Sequence, residues 1–181
     1  MLMYFIMLFV IIILIMLSKR INNSEKKFLI CTYIVLVFIS GFRNYNVGVD
    51  TKLYSSFFEY AKNISYSNLH NVRYEYGFAL FCKLLSTLNN NYHYLLFATS
   101  AFINYAVLNF IKKNSKNVYF SVIMYILCNF FFSYMNVMRQ AIAISIILLN
   151  YESLKKEKYL KFSIGILFAM LFHTSAILCF T

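Results

Sequence analysis

The sequence predicts an all-α, polytopic helical membrane protein, with about six transmembrane helices plus amphipathic helices in a long outer loop. Three observations carry that prediction. Of 181 residues, 61% are hydrophobic and only 13% charged, with a mean hydropathy of +0.66, which is more apolar surface than a soluble core of this length can bury. The charged residues collect in short gaps between apolar runs, the pattern by which a multi-spanning chain carries its topology signals. The run from Val118 to Asn150 holds a single formally charged side chain, Arg139. A guanidinium at a bilayer centre costs about 2.5–3.5 kcal/mol to insert, so it ordinarily faces a wet or paired interior.

The net charge of +11 does not indicate nucleic acid, because a nucleic-acid face needs lysines and arginines clustered on a soluble scaffold. The four cysteines show no close spacing, and Cys31, Cys128 and Cys179 lie within apolar runs. They read as unpaired thiols, neither a disulfide framework nor a metal site. His70, His93 and His173 show no paired spacing, so no metal is expected. There is no GxSxG elbow and no phosphate-binding glycine loop, which leaves cytosolic nucleotide chemistry without support.

Taken in order, residues 2–17 form a first span without the charged start or small-residue cleavage site of a signal peptide. Lys19, Arg20, Lys26 and Lys27 follow. A second span covers 28–42, then a polar outer loop runs from 43 to 91. In it Phe78, Phe81, Leu84, Leu85 and Leu88 share one helical face opposite Lys83, predicting an amphipathic helix over 77–89 that lies on or dips into the outer surface. Leu53, Tyr54, Phe57 and Phe58 repeat the pattern over a shorter stretch. A third span covers 92–111, and Lys112, Lys113 and Lys116 fill the next gap. After the Arg139 run come Lys155, Lys156, Lys158 and Lys161, and a last span covers 162–180. The whole of 1–181 reads as a single membrane domain.

The Arg139 run is either one helix or two, and charge decides. Two spans, 118–134 and 137–150, meeting near Asn136, place all three lysine-rich segments on one side. Those segments hold eleven of the seventeen Lys and Arg residues, so that side is the cytoplasm and both termini lie outside. Every candidate reactive residue then falls in the outer half: Arg43, Asp50, Arg73, Glu75, Arg139 and His173. Arg139 lies eleven residues before Asn150 and His173 eleven after Phe162, which at about 1.5 Å per residue puts each roughly 17 Å above the inner surface. Each also has a plainer reading. Asp50 fits the N-cap of a helix starting at Thr51; Arg43 fits a side chain snorkelling to the interface. Glu75 fits a surface partner of Arg73 or Arg43, His173 a hydrogen-bonded interior histidine, and Arg139 a turn residue reaching water. Tyr45, Tyr54, Tyr74 and Tyr76 read as interfacial anchors.

Phe42-Arg43, then Gly48-x-Asp50-x-x-x-Tyr54, Glu75-x-Gly77-Phe78, Met138-Arg139-Gln140 and Phe172-His173-x-Ser175-Ala176 resemble, in order and spacing, the EpsG family of polysaccharide-biosynthesis membrane proteins, itself similar to Wzy-type polymerases. The resemblance covers the chain from about Phe28 to its end. It implies a glycosyltransferase-type polymerase of a bacterial plasma membrane, working outside the cytoplasm in capsule, exopolysaccharide or O-antigen pathways. Its partners would be an undecaprenyl-pyrophosphate-linked glycan, the lipid bilayer and other polysaccharide-assembly membrane proteins. Such chemistry needs a cation for the departing pyrophosphate, a role that suits Arg139 and Arg43. It also needs a base for the attacking hydroxyl, for which Asp50, Glu75 and His173 all qualify. No cofactor is implied, since the lipid carries its own leaving group. The resemblance further leads one to expect a longer protein, of which this chain is an N-terminal portion. A flippase for the same lipid-linked sugars and a non-catalytic subunit of a polysaccharide synthase are the alternatives.

Overall fold

The computed structural model describes residues 2–20 and 23–180. Among them the regular structure is entirely helical. The α-helices are α1 Leu2–Ser18, α2 Ser24–Gly41, α3 Thr51–Ala61, α4 Tyr76–Leu88, α5 Tyr92–Asn114, α6 Val118–Leu127, α7 Phe130–Asn136, α8 Met138–Lys155 and α9 Tyr159–Met170; two 3-10 helices cover Tyr66–Asn71 and Thr174–Phe180. Helix α5 is the central post, packed on α2, α8, α3, α4 and α6. Asn91 caps its start by accepting the His93 N–H at 2.9 Å, and Lys112 and Lys113 occupy its last turn, where the helix dipole favours a cation.

Contacts between the lysine-rich segments bring them to one end of the bundle. The Lys19 ammonium sits 5.7 Å from the centre of the Tyr119 ring, Phe28 packs on the same ring at 4.9 Å, and Lys155 donates to the Asn114 side chain at 3.2 Å. The Asn150 amide reaches the Lys161 and Phe162 carbonyls, each at 3.1 Å. At the other end Val49 N–H donates to the Asn136 side chain at 3.2 Å. Because Asn117 and Lys155 lie at one end and Asn136 at the other, the Val118–Asn150 run doubles back at Val137 between α7 and α8. The descending arm is itself broken. Asn129 adopts φ 66°, a left-handed conformation that asparagine tolerates, and α6 and α7 meet there at 50°.

One expectation is met in part and two need correction. Only α5 is long and apolar enough by itself to cross a membrane among the described residues; α6 and α7 qualify if their bent pair is one span. Helices α2 and α8 have eighteen residues, but each carries three charged side chains at its ends, so their apolar lengths fall short of the usual twenty. Second, 162–180 is not one helix. α9 ends at Met170, and the chain turns through Leu171–His173 into the 3-10 helix. Third, α4 is rolled from the predicted orientation. Phe78, Ala79, Cys82, Lys83 and Ser86 face inward, while Leu84 and Leu88 are 50% and 74% exposed. The reason is Lys83, whose ammonium donates to the carbonyl of Lys62 at 2.6 Å. Lys62 caps the C-terminal end of α3, where a cation offsets the negative end of the helix dipole.

The outward faces of the long helices remain apolar. Phe5, Phe9, Ile34, Phe38, Ile164 and Leu167 are each about half exposed or more, a larger apolar surface than a water-soluble monomer ordinarily presents.

Candidate functional site

Glu75, Arg139 and His173, 64 and 98 residues apart in sequence when counted from Glu75, meet in one cluster. Glu75 directly precedes α4, where the helix dipole favours an anion. Arg139 lies in the first turn of α8, where the same dipole disfavours a cation, and the Glu75 carboxylate offsets it by accepting from the Arg139 Nη1. The other carboxylate oxygen lies 3.1 Å from His173 Nδ1. An ionised carboxylate only accepts, so the histidine proton belongs on Nδ1 and the Nε2 lone pair is left for another partner.

A close backbone approach sets this geometry. Gly77 N–H donates to the Leu171 carbonyl at 2.8 Å, and a Cβ at Gly77 would stand 2.6 Å from that oxygen and 2.8 Å from the Leu171 Cβ. Glycine thus lets the start of α4 abut the turn that carries His173. Gly77→Val is expected to push the two apart at a cost on the order of 1–3 kcal/mol, seen as a lowered thermal midpoint in detergent, with Gly77→Ala intermediate. A midpoint unchanged by valine would remove this account of the approach.

Two tyrosines frame the arginine. Its guanidinium carbon lies 5.0 Å from the centre of the Tyr74 ring and 5.8 Å from that of Tyr54, and Tyr54 is only 4% exposed. These rings are therefore part of the cluster, a cation–π cradle, and not the interfacial anchors expected from sequence. Two spacings in the sequence pointed to them: Tyr54 follows Asp50 by one helical turn and Tyr74 adjoins Glu75.

The cluster is open to a ligand. The side chains of Glu75, Arg139 and His173 are 17%, 23% and 26% exposed, and the Arg139 Nε is buried without a hydrogen-bond partner. Burial by itself would raise the Glu75 pKa, but a bond from its own backbone amide, the charge and bonds of Arg139 and the His173 imidazole together hold it below the ordinary carboxylate value. A depressed folded pKa means stability that is present above the ordinary value of 4.5 and lost as pH falls through the folded value. Thermal midpoints measured from about pH 6 down to about pH 3 should fall for the wild type and fall less steeply for Glu75→Gln; parallel curves would show that Glu75 does not supply the dependence.

Arg43 and Asp50 stand apart from the cluster. Arg43 is 8% exposed and donates to the carbonyls of Ser40 at 2.6 Å and Met135 at 3.3 Å, which lie in the last turns of α2 and α7. It clamps two helix C-terminal ends, whose dipoles compensate the buried charge, so the snorkelling alternative does not describe it either. Burial lowers its pKa to about 10, which leaves it charged at neutral pH. Asp50 precedes α3 as the sequence suggested, but its carboxylate makes no capping bond. It is half-buried one turn from Tyr54, at the rim of the cluster. Arg73 is exposed and, among the described residues, forms no ion pair with Glu75.

Beside the cluster an apolar groove of about 260 Å³ runs between α4, α5, α8 and α9, lined by Phe81, Phe102, Ile142, Ile146, Phe168 and Phe172 among others. Ile142 and Ile146 lie three and seven residues after Arg139, on its own face of α8, and Phe172 adjoins His173. Two residues of the groove, Ile142 and Phe172, thus stand one helical turn from Arg139 and next to His173 in the chain.

A helical bundle with apolar outward faces and a charged, partly open cluster at the end away from its three lysine-rich segments defines a membrane protein with an internal polar site. The chain belongs to the EpsG family, whose family model matches residues 26–181, and this makes it a polysaccharide-biosynthesis membrane protein. No curated protein and no solved structure matches the chain.

Proposed function

We propose that this protein polymerises undecaprenyl-pyrophosphate-linked oligosaccharide repeat units on the outer side of a bacterial plasma membrane. The observation that carries this reading is the Glu75–Arg139–His173 cluster, partly exposed and adjoined in the chain by Ile142 and Phe172 of the apolar groove. A hydroxyl oxygen of the incoming unit attacks the anomeric carbon of the growing glycan. The bond from that carbon to the pyrophosphate oxygen breaks, and the lipid pyrophosphate leaves with the electron pair. His173 Nε2 takes the hydroxyl proton, Glu75 holds the imidazole in the tautomer that allows it, and Arg139 stabilises the departing pyrophosphate. The groove receives the first part of the polyprenyl chain. Asp50 at the rim is placed to contact acceptor sugar hydroxyls, and Arg43 supports the site from behind by clamping α2 to α7.

The membrane arrangement that goes with this chemistry has six crossings, near 2–17, 28–42, 92–111, 118–134 and 137–150 and a last one from 162 to 180 made of α9, the Leu171–His173 turn and the 3-10 helix together. The short ones dip into a locally thinned or hollowed bilayer, and the lysine-rich end is cytoplasmic. Asp50→Cys should react with a membrane-impermeant maleimide from outside intact cells and Lys156→Cys only after lysis; external labelling of Lys156→Cys would reverse the orientation. The function itself is tested by removing the protein from its host. The expected result is loss of long glycan with single lipid-linked units accumulating on the outer leaflet. Accumulation on the inner leaflet would make the protein a flippase, and unchanged glycan would exclude both roles.

A further inference from the structure

A second groove, of about 310 Å³, lies on the opposite, lysine-rich end between α2 and α5. On α2 it is lined by Lys26, Leu29, Ile30 and Tyr33, and on α5 by Tyr105, Leu108, Asn109 and Lys112. Each set follows the i, i+3, i+4, i+7 spacing or part of it, so each is one stripe of one helix. The two helices run in opposite directions here, Lys26 in the first turn of α2 and Lys112 in the last turn of α5. Both ammonium groups therefore stand at the same mouth, and the tyrosines face each other about 10 Å deeper. No Asp or Glu lines the groove, and among the described residues neither lysine is ion-paired to a carboxylate.

We propose that this groove binds an anionic phospholipid, its phosphate between Lys26 and Lys112 and the upper part of one acyl chain along Leu29, Ile30 and Leu108. Charge and shape both require such a molecule. Two unpaired cations at a membrane surface attract a phosphate head, and the apolar walls below them suit methylenes and not a soluble anion. Ile30 and Tyr105 are 49% and 55% exposed, so the groove opens sideways to the bilayer and a lipid enters without unfolding. The proposal is independent of the polymerase reading, because it concerns another face and another ligand.

The chain contains no tryptophan, so Tyr105→Trp places a single indole in the groove of the full-length protein. Reconstituted in phosphatidylcholine vesicles, that indole should be quenched by a minor fraction of brominated phosphatidylglycerol with an apparent affinity on the order of ten-fold above that for brominated phosphatidylcholine. Adding Lys26→Gln and Lys112→Gln should abolish the preference, while a reference indole at Phe9→Trp, on the exposed face of α1, should show none. Equal quenching by the two lipids, or a preference that survives loss of both lysines, overturns the proposal. Should Tyr105→Trp not fold, Tyr33→Trp reports from the facing wall with the same outcomes.

Discussion

Arg139→Ala is expected to lower the rate of glycan polymerisation by roughly 10²–10³-fold, with long polymer lost and single lipid-linked units accumulating on the outer leaflet. Two consequences follow from one substitution. The departing pyrophosphate loses the guanidinium that the Tyr54 and Tyr74 rings hold in place, and Glu75 loses one of the partners that hold its pKa down. Arg139→Lys separates these. A lysine retains the charge but neither the planar fork nor the stacking on two rings, so it should restore the abundance of folded protein in the membrane while recovering only part of the rate. Abundance measured alongside polymer length keeps a folding defect from passing as a catalytic one. If Arg139→Ala makes full-length polymer at normal abundance, Arg139 does not act on the leaving group.

His173→Ala should cost roughly 10²–10⁴-fold, the range of a positioned general base. Glu75→Gln should cost less than that at neutral pH, because an amide still bonds Nδ1 but accepts or donates there without fixing the tautomer. If the two act as one unit, the double variant is no slower than His173→Ala alone, since a base that is absent cannot be oriented. Multiplicative losses would instead mean that Glu75 works on substrate by itself, as a base or through Arg139. Asp50→Asn serves as the comparison. Standing at the rim with no bond to the cluster, it should raise the substrate concentration needed for half-maximal rate more than it lowers the maximal rate. A collapse of the maximal rate would move the base from His173 to Asp50.

The residues of the cluster were legible in the chain because each is a polar exception in an apolar or motif-bearing stretch: Arg139 in its run, His173 directly after Leu171-Phe172, Glu75 two residues before a glycine. Their contacts were not. Arg43 and Arg139 read alike in the chain, yet the hydrogen bonds of Arg43 go to the carbonyls of Ser40 and Met135, and nothing local in Phe42-Arg43 announces a helix-end clamp. The inward roll of α4 was similarly hidden. Periodicity puts Lys83 on the polar face of α4, whereas it is buried against a carbonyl at the end of another helix, 21 residues earlier in the chain. Gly77 reads as a weak spot in a helix until the Leu171 carbonyl is seen against it.

Composition, hydropathy and the spacing of charges are sums over local residues, and they determined what those sums can: a helical membrane protein, its apolar segments and the polar exceptions within them. Tertiary structure alone decided which exceptions touch. The Glu75–His173 bond spans 98 residues, and it forms because a glycine admits a backbone contact, α9 stops at Met170 and α8 begins with an arginine whose own dipole opposes it. Such contacts depend on where helices end and how they roll on one another, and those are settled by long-range bonds that no local pattern encodes.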